Sequence, residues 1–312
     1  MTFLMISSGL VLLYFGAEWL VRGSSSLAAR FKVSPLLVGL TIVAYGTSAP
    51  EFVVSLTAGL EGHDSIAAGN VIGSNIFNIA FILGLSALIL PMKVHINLIR
   101  RDVPVMIAAA LTMLLFMTDK KIGRIEGLIL VLGGIIYTAV CAYRARKEPE
   151  ADIESIEPVK FMTRLGWLAD VALILVGLAV LVAGSKLLVN GSVVLARHLG
   201  ISEAVIGLTV IAAGTSLPEL ATSIIAAIKK QPDIAIGNVV GSNIFNVLFV
   251  LGGAAMVTPL STNEIRNIDM YVMIGLSLLL LPFLRSGFTL SRKEGAIMFL
   301  IYLGYTYTLI PH

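Results

Sequence analysis

The chain has 312 residues, 57% of them hydrophobic and only 13% charged, with a net charge of +3. A soluble domain is nearer half apolar and a quarter charged, and here the charges fall in clusters between apolar runs of about 18 to 25 residues, the length that crosses a hydrocarbon core. Composition therefore excludes a water-soluble globule, while the basic balance reflects Lys and Arg placed between apolar segments and does not point to nucleic acid.

Ten spans are predicted, taken in chain order. The first, 3–21, contains Glu18 and has no basic stretch before it, so it reads as a transmembrane helix and not as a cleaved signal. Glu18 and Arg22 form a four-apart helix pair. The second span, 35–60, and the third, 66–91, carry most of the polar residues of the first half. The fourth, 103–118, is short, and the fifth, 124–143, holds Cys141. One cysteine excludes a disulfide framework and a cysteine metal cluster. Next comes the only hydrophilic stretch, Lys147–Arg164. Its acids Glu148, Glu150, Asp152, Glu154 and Glu157 lack the Asp-x-Asp-x-Asp-Gly spacing of a calcium loop, so it reads as a solvated linker. Spans at 167–190, 203–228, 234–260, 270–284 and 291–310 complete the second half. Four scattered histidines suggest no metal site, and Trp19, Trp167 and the Tyr residues near 302–307 fit interfacial belts.

Placing the N-terminus outside puts sixteen Lys and Arg residues in the loops after spans 1, 3, 5, 7 and 9, against five on the other face. The positive-inside rule then sets both termini outside the cytoplasm. The expected location is the inner or plasma membrane, crossed many times.

An internal repeat organises the chain. Residues 38–59, VGLTIVAYGTSAPEFVVSLTAG, align with 206–227, IGLTVIAAGTSLPELATSIIAA, at an offset of 168 with eleven identities in 22 positions. At the same offset, 66–78, IAAGNVIGSNIFN, matches 234–246, IAIGNVVGSNIFN, at 11 of 13 positions. Five spans per half is an odd number, so the second copy enters the membrane upside down. The predicted fold class is an all-α membrane protein of ten transmembrane helices in two inverted five-helix repeats, with broken helices 2, 3, 7 and 8 at an ion site. The halves are 1–146 and 165–312, joined by a cytoplasmic linker at 147–164.

The repeated residues carry a chemistry. Pro50 lacks an N–H and clashes with the carbonyl four residues back, so the helix kinks or breaks around Gly46. Freed carbonyls, including that of Ala44 or its neighbours, then need a partner. Thr47, Ser48 and Glu51 fall on one helical face by their spacing. The second copy repeats the set with Ala212, Thr215, Ser216, Pro218 and Glu219. Partner helices add Ser74 and Asn78, and Ser242 and Asn246, while Gly69, Gly73, Gly237 and Gly241 permit close helix approach. All these groups are hard oxygens, which suit Na⁺ or Ca²⁺ rather than Zn²⁺ or copper. A carboxylate at mid-membrane costs roughly 2.5–3.5 kcal/mol or more, so two at motif centres argue for function over packing. Ser55 and Ser223 either line the pathway or pack. Asn70, Asn75, Asn238 and Asn243 are read as satisfying broken-helix backbone. Glu18 and Lys186 are repeat equivalents that inversion sets at opposite faces, so they do not pair, and Lys186 snorkels outward.

The motifs GTSAPE with GNVIGSNIFN, and GTSLPE with GNVVGSNIFN, resemble the two repeats of the calcium/cation antiporter superfamily, most closely its prokaryotic sodium/calcium exchangers. The resemblance covers nearly the whole chain. It implies alternating access, Na⁺ influx coupled to Ca²⁺ extrusion, and sliding of the first and sixth helices against the rest. It implies ion ligands at Thr47, Ser48, Glu51, Ser74 and Asn78 and at Thr215, Ser216, Glu219, Ser242 and Asn246, with backbone ligands at Ala44 and Ala212. One departure stands out: several family members carry Asp where Asn246 stands, so only two carboxylates are available here. The linker is too short for the regulatory calcium-binding domains of animal relatives.

The expected function is thus Na⁺/Ca²⁺ antiport, with Na⁺ and Ca²⁺ as cargo, the bilayer as surroundings, and no cofactor, nucleic acid or obligatory protein partner. Buried Glu residues can also carry protons, so H⁺/Ca²⁺ antiport is the alternative. A channel fits less well, because an inverted repeat meeting at mid-membrane builds an occluded site. No His-Glu-x-x-His, Ser/His or paired catalytic Asp motif lies inside a span, which argues against an enzyme.

Overall fold

The computed structural model describes residues 2–147, 166–199 and 212–309. In chain order the helices are α1 (Thr2–Phe31), α2 (Pro35–Thr47), α3 (Ala49–Leu60), α4 (Asp64–Ile89), α5 (Val103–Phe116), α6 (Arg124–Lys147) and α7 (Gly166–His198). After a short turn at Ala212–Gly214 come α8 (Leu217–Ile228), α9 (Pro232–Val257), α10 (Asn267–Arg285) and α11 (Arg292–Tyr307). Six of these are long and apolar enough to cross a membrane, and α2 with α3, bent by 44° at their joint, make a seventh candidate span. Residues 203–211 of the span predicted at 203–228, and the linker beyond Lys147, lie outside the described residues.

One expectation changes. Spans 3 and 8 are not broken: α4 and α9 run without interruption, because their glycines leave the hydrogen-bond ladder intact and neither helix has an internal proline. Each instead loosens into a π-helical stretch, Phe77–Leu83 and Asn246–Leu251. Such stretches insert an extra residue per turn and re-aim the side chains that start them. Asn78 and Asn246 stand at those starts.

The halves touch each other reciprocally under the offset of 168. Four two-residue strands show it most simply: β1 (Met92–Lys93), β2 (Lys121–Ile122), β3 (Leu260–Ser261) and β4 (Thr289–Leu290). Met92 pairs with Leu290 and Ile122 with Leu260, each pair being the other with its halves exchanged. Glycines repeat the pattern between helices. A Cβ added at Gly84 would lie 3.0 Å from the Gly295 carbonyl, and one at Gly127 2.7 Å from that of Gly252.

The longest packing surface joins α1 to α7. It exists because glycines recur every seven residues on both helices, at Gly9, Gly16 and Gly23 on α1 and at Gly177, Gly184 and Gly191 on α7, with Gly9 against Gly184 and Gly16 against Gly177. Added Cβ atoms at Gly16 and Gly177 would both meet partner backbone at 2.8 Å. The two backbones therefore lie directly against each other. At the outer flank Arg30 Nε donates to the buried Asp170 carboxylate at 2.7 Å. The centre of the molecule is filled by α4 and α9, and there the buried polar residues collect.

Candidate cation-binding site

The site begins at two joints. Pro50 and Pro218 are each the second residue of a helix, α3 and α8, where a missing N–H leaves no bond unmade. The residues just before those helices, Ser48 and Ser216, have left the helical geometry, with φ/ψ of −85°/6° and −89°/8°. The break thus falls two residues beyond Gly46, since proline disrupts the turn it cannot close and tolerates the one it starts.

Breaking the helix there changes what Ser48 reaches. Instead of sharing a helical face with Glu51, its hydroxyl donates to Glu219 Oε1 at 2.8 Å. Ser216 donates in the same way to Glu51 Oε1 at 2.9 Å and lies 3.1 Å from the Ser74 hydroxyl. Each carboxylate is therefore held by the serine of the opposite half. Thr47 donates to Asn238 Oδ1 at 3.1 Å, and Thr215 to Asn70 Oδ1 at 3.4 Å. Ser242 donates to the Ala44 carbonyl at 3.5 Å, which also accepts from Ser48 N and from Thr47. Ala212 opens the short turn before the second joint.

Four asparagines outside the expected ligand set do two jobs. Asn70 Nδ2 donates to the Glu51 carbonyl at 3.3 Å and Asn238 Nδ2 to that of Glu219 at 3.4 Å, satisfying backbone at the broken turns. Both also donate to Ser55 and Ser223, whose hydroxyls reach the carbonyls of Ala67 and Ala235. Those serines tie neighbouring helices together. Asn75 and Asn243 bond each other's carbonyls at 3.4 Å. Their side-chain oxygens also accept from Asn246 Nδ2 at 3.1 Å and from Asn78 Nδ2 at 3.0 Å. That orienting role was not read from the sequence, although identity at all four positions in the two copies was its signal.

Fixing the amide nitrogens leaves the amide oxygens over. Among the described residues, the buried side-chain oxygens without a hydrogen-bond partner include Glu51 Oε2, Glu219 Oε2, Asn78 Oδ1 and Asn246 Oδ1. Every other unpartnered atom of this kind is a Ser or Thr hydroxyl, which can rotate to find a partner. These four cannot donate while the carboxyls are ionised, and burying them unpaired costs about 1–3 kcal/mol each. A hard cation among them removes that cost, with two formal negative charges and neutral oxygens around it. Glu51, Glu219, Asn78 and Asn246 are all fully buried, as are Thr47, Ser48, Ser216 and Ser242. Ser74 is 3% exposed and Thr215 is half-buried. No group of three or more His, Cys, Asp or Glu occurs among the described residues, so the set is one of hydroxyls, amides and two carboxylates.

The sodium/calcium exchanger protein family matches residues 1–143 and 170–310. This chain belongs to that family. Among related exchangers and membrane proteins, it is 42% identical over 310 residues to CaxA of Alkalimonas amylolytica, covering 96% of both chains. Inner membrane protein YrbG of Escherichia coli is 36% identical, with 97% of this chain and 96% of that one covered. A sodium/calcium exchanger of Methanosarcina acetivorans is 32% identical, with 97% of each covered. The structure of the sodium-calcium exchanger NCX_Mj, from crystals soaked with Na⁺ and Ca²⁺, superposes with a TM-score of 0.85 at 31% identity over 99% of both chains. The exchanger fold thus holds over the full length, and the protein is a helical membrane protein of an antiporter family.

Proposed function

We propose that this exchanger moves Ca²⁺ against Na⁺ by alternating access, through ten spans arranged as two inverted five-helix repeats. The observation that carries the reading is the set of four unpartnered acceptor oxygens on Glu51, Glu219, Asn78 and Asn246. Thr47, Ser48, Ser74, Thr215, Ser216 and Ser242, with the carbonyls of Ala44 and Ala212, complete the proposed ligand shell. The first half contributes one carboxylate and one amide, and the second half the same. Their charge of −2 balances one Ca²⁺ or two Na⁺, so the two cargoes compete for one set of oxygens and cannot both be fully accommodated. Competition at a single buried site is what antiport requires. The family membership and the NCX_Mj likeness support Na⁺ as the coupling ion. Both termini lie outside the cytoplasm in this reading, and the chain carries no enzymatic chemistry.

The same carboxylates are ion-paired to no basic side chain among the described residues, so protons could replace Na⁺ there. One experiment separates these. Proteoliposomes loaded with Na⁺ are diluted into Na⁺-free buffer, and radiocalcium uptake is followed with and without a pH gradient. Uptake that depends on internal Na⁺ and ignores the pH gradient is expected. Uptake driven by the pH gradient alone would replace Na⁺ with H⁺, and flux without any counter-ion would make the protein a channel.

A further inference from the structure

One charged contact departs from the reciprocity of the halves. Lys229 Nζ, just past α8, meets Glu18 Oε1 on α1 at 2.6 Å, a longer reach than the Arg22 partner expected for Glu18. Subtracting 168 from Lys229 gives Glu61, and adding it to Glu18 gives Lys186. The equivalent pair is therefore present with its charges traded. Glu61 and Lys186 are both exposed, and neither is ion-paired among the described residues.

What separates them is visible. A groove of about 480 Å³ runs between α3 and α7, lined by Pro50, Val53, Val54, Lys186, Val189 and Thr215. It reaches residues adjoining Ser48 and Ser216. On the opposite side α1 packs directly against α8, whereas α3 and α7 scarcely touch, and the difference registers in burial. Thr222 on α8 is fully buried, whereas its counterpart on α3, Val54, is 38% exposed.

We propose that Glu18–Lys229 and Lys186–Glu61 are alternating latches, one closed while the other is open. In the state described, Glu18–Lys229 holds α1 over α8 and the α3–α7 groove stands open. In the opposite-facing state α7 covers α3, Lys186 reaches Glu61, and Glu18 parts from Lys229. This rests on the alternating access proposed above. Because α1 and α7 are joined backbone to backbone, one displacement of that pair opens one latch as it closes the other. Traded charges make the two latches chemically alike, so the exchange substitutes an ion pair for its equal and keeps both states accessible. The formed pair is partly exposed, at 46% and 25% of its side chains. Each latch therefore shifts the equilibrium by about fivefold at most.

The test reads the groove directly. In a Cys141→Ala background, which removes the sole cysteine, Val54→Cys in proteoliposomes is treated with a membrane-impermeant thiol reagent. Ion concentrations are set so that the rate is half its maximum. Glu61→Gln is expected to speed modification by about 1.7-fold and Lys229→Gln to slow it about threefold, the responses of a half-populated state to a fivefold shift. Lys186→Glu should act like Glu61→Gln, and adding Glu61→Lys should restore the original rate. Shifts in the same direction, no shift in either, or no restoration by the swap would overturn the latches while radiocalcium exchange persists. If the Val54→Cys rate ignores Na⁺ and Ca²⁺ altogether, alternating access itself is lost, and the latches with it.

Discussion

Asn75 and Asn243 show how much of the proposed site is arranged by residues outside its proposed ligand set. Each takes a hydrogen bond from the amide nitrogen of the opposite half's Asn246 or Asn78, which leaves that amide's buried oxygen without a hydrogen-bond partner. Asn75→Ala should free Asn246 to rotate and raise the Ca²⁺ concentration for half-maximal exchange about tenfold, the equivalent of one buried hydrogen bond of ~1.5 kcal/mol. Glu51→Gln and Glu219→Gln should each nearly abolish radiocalcium exchange while the protein still inserts and purifies normally. Retained transport in either would remove the carboxylates from the centre of the mechanism. Glu51 and Glu219 were legible as candidates because a carboxylate is costly within an apolar span and recurs at the same motif position in both halves, and the structure buries both. The serine-to-glutamate exchange between halves was not legible. Spacing reports neighbours three and four residues away on a continuous helix, and the break at Ser48 ends that helix just where the rule was applied.

At the scale of helices, close approach is written in glycine. Gly16 faces Leu181 N and the Gly177 carbonyl so nearly that an added Cβ would lie 2.8 and 2.9 Å from them. Gly16→Val should therefore part α1 from α7, cost about 1–3 kcal/mol, and lower the aggregation temperature in detergent by several degrees. Gly275→Ala in α10, where no described atom lies within 4 Å, should leave that temperature unchanged or raise it. Of the four glycines expected to permit close approach, Gly237 and Gly241 do so, with added Cβ atoms 2.9 Å from the Leu36 carbonyl and 2.5 Å from that of Leu40. Gly69 and Gly73 have no such neighbour among the described residues, and the repeat equivalents of Leu36 and Leu40 fall outside them. Helix positions were readable from apolar runs, and the presence of a break before Pro50, expected around Gly46, was readable from that proline, while its place at Ser48 was not. The π-helical stretches of α4 and α9 were not, because an extra residue in a turn leaves no mark in composition or period.

For the whole molecule, the distribution of Lys and Arg makes a topological claim that can be checked on intact cells. An epitope at the N-terminus should be reached by antibody without permeabilisation of the cytoplasmic membrane, whereas one within 147–164 should be reached only after it. The reverse pattern would turn the chain over and put the α3–α7 groove on the cytoplasmic side. The reciprocal strands carry a further meaning. Met92 with Leu290 and Ile122 with Leu260 are the contacts that a two-fold dimer makes with itself, as are Gly84 with Gly295 and Gly127 with Gly252. Geometrically, then, these described contacts are those of an isologous dimer made within one polypeptide. Carrying both halves on one chain keeps each at a high effective concentration for the other. Two halves on one chain need not be identical, and Glu61 at the position equivalent to Lys229 shows where they differ.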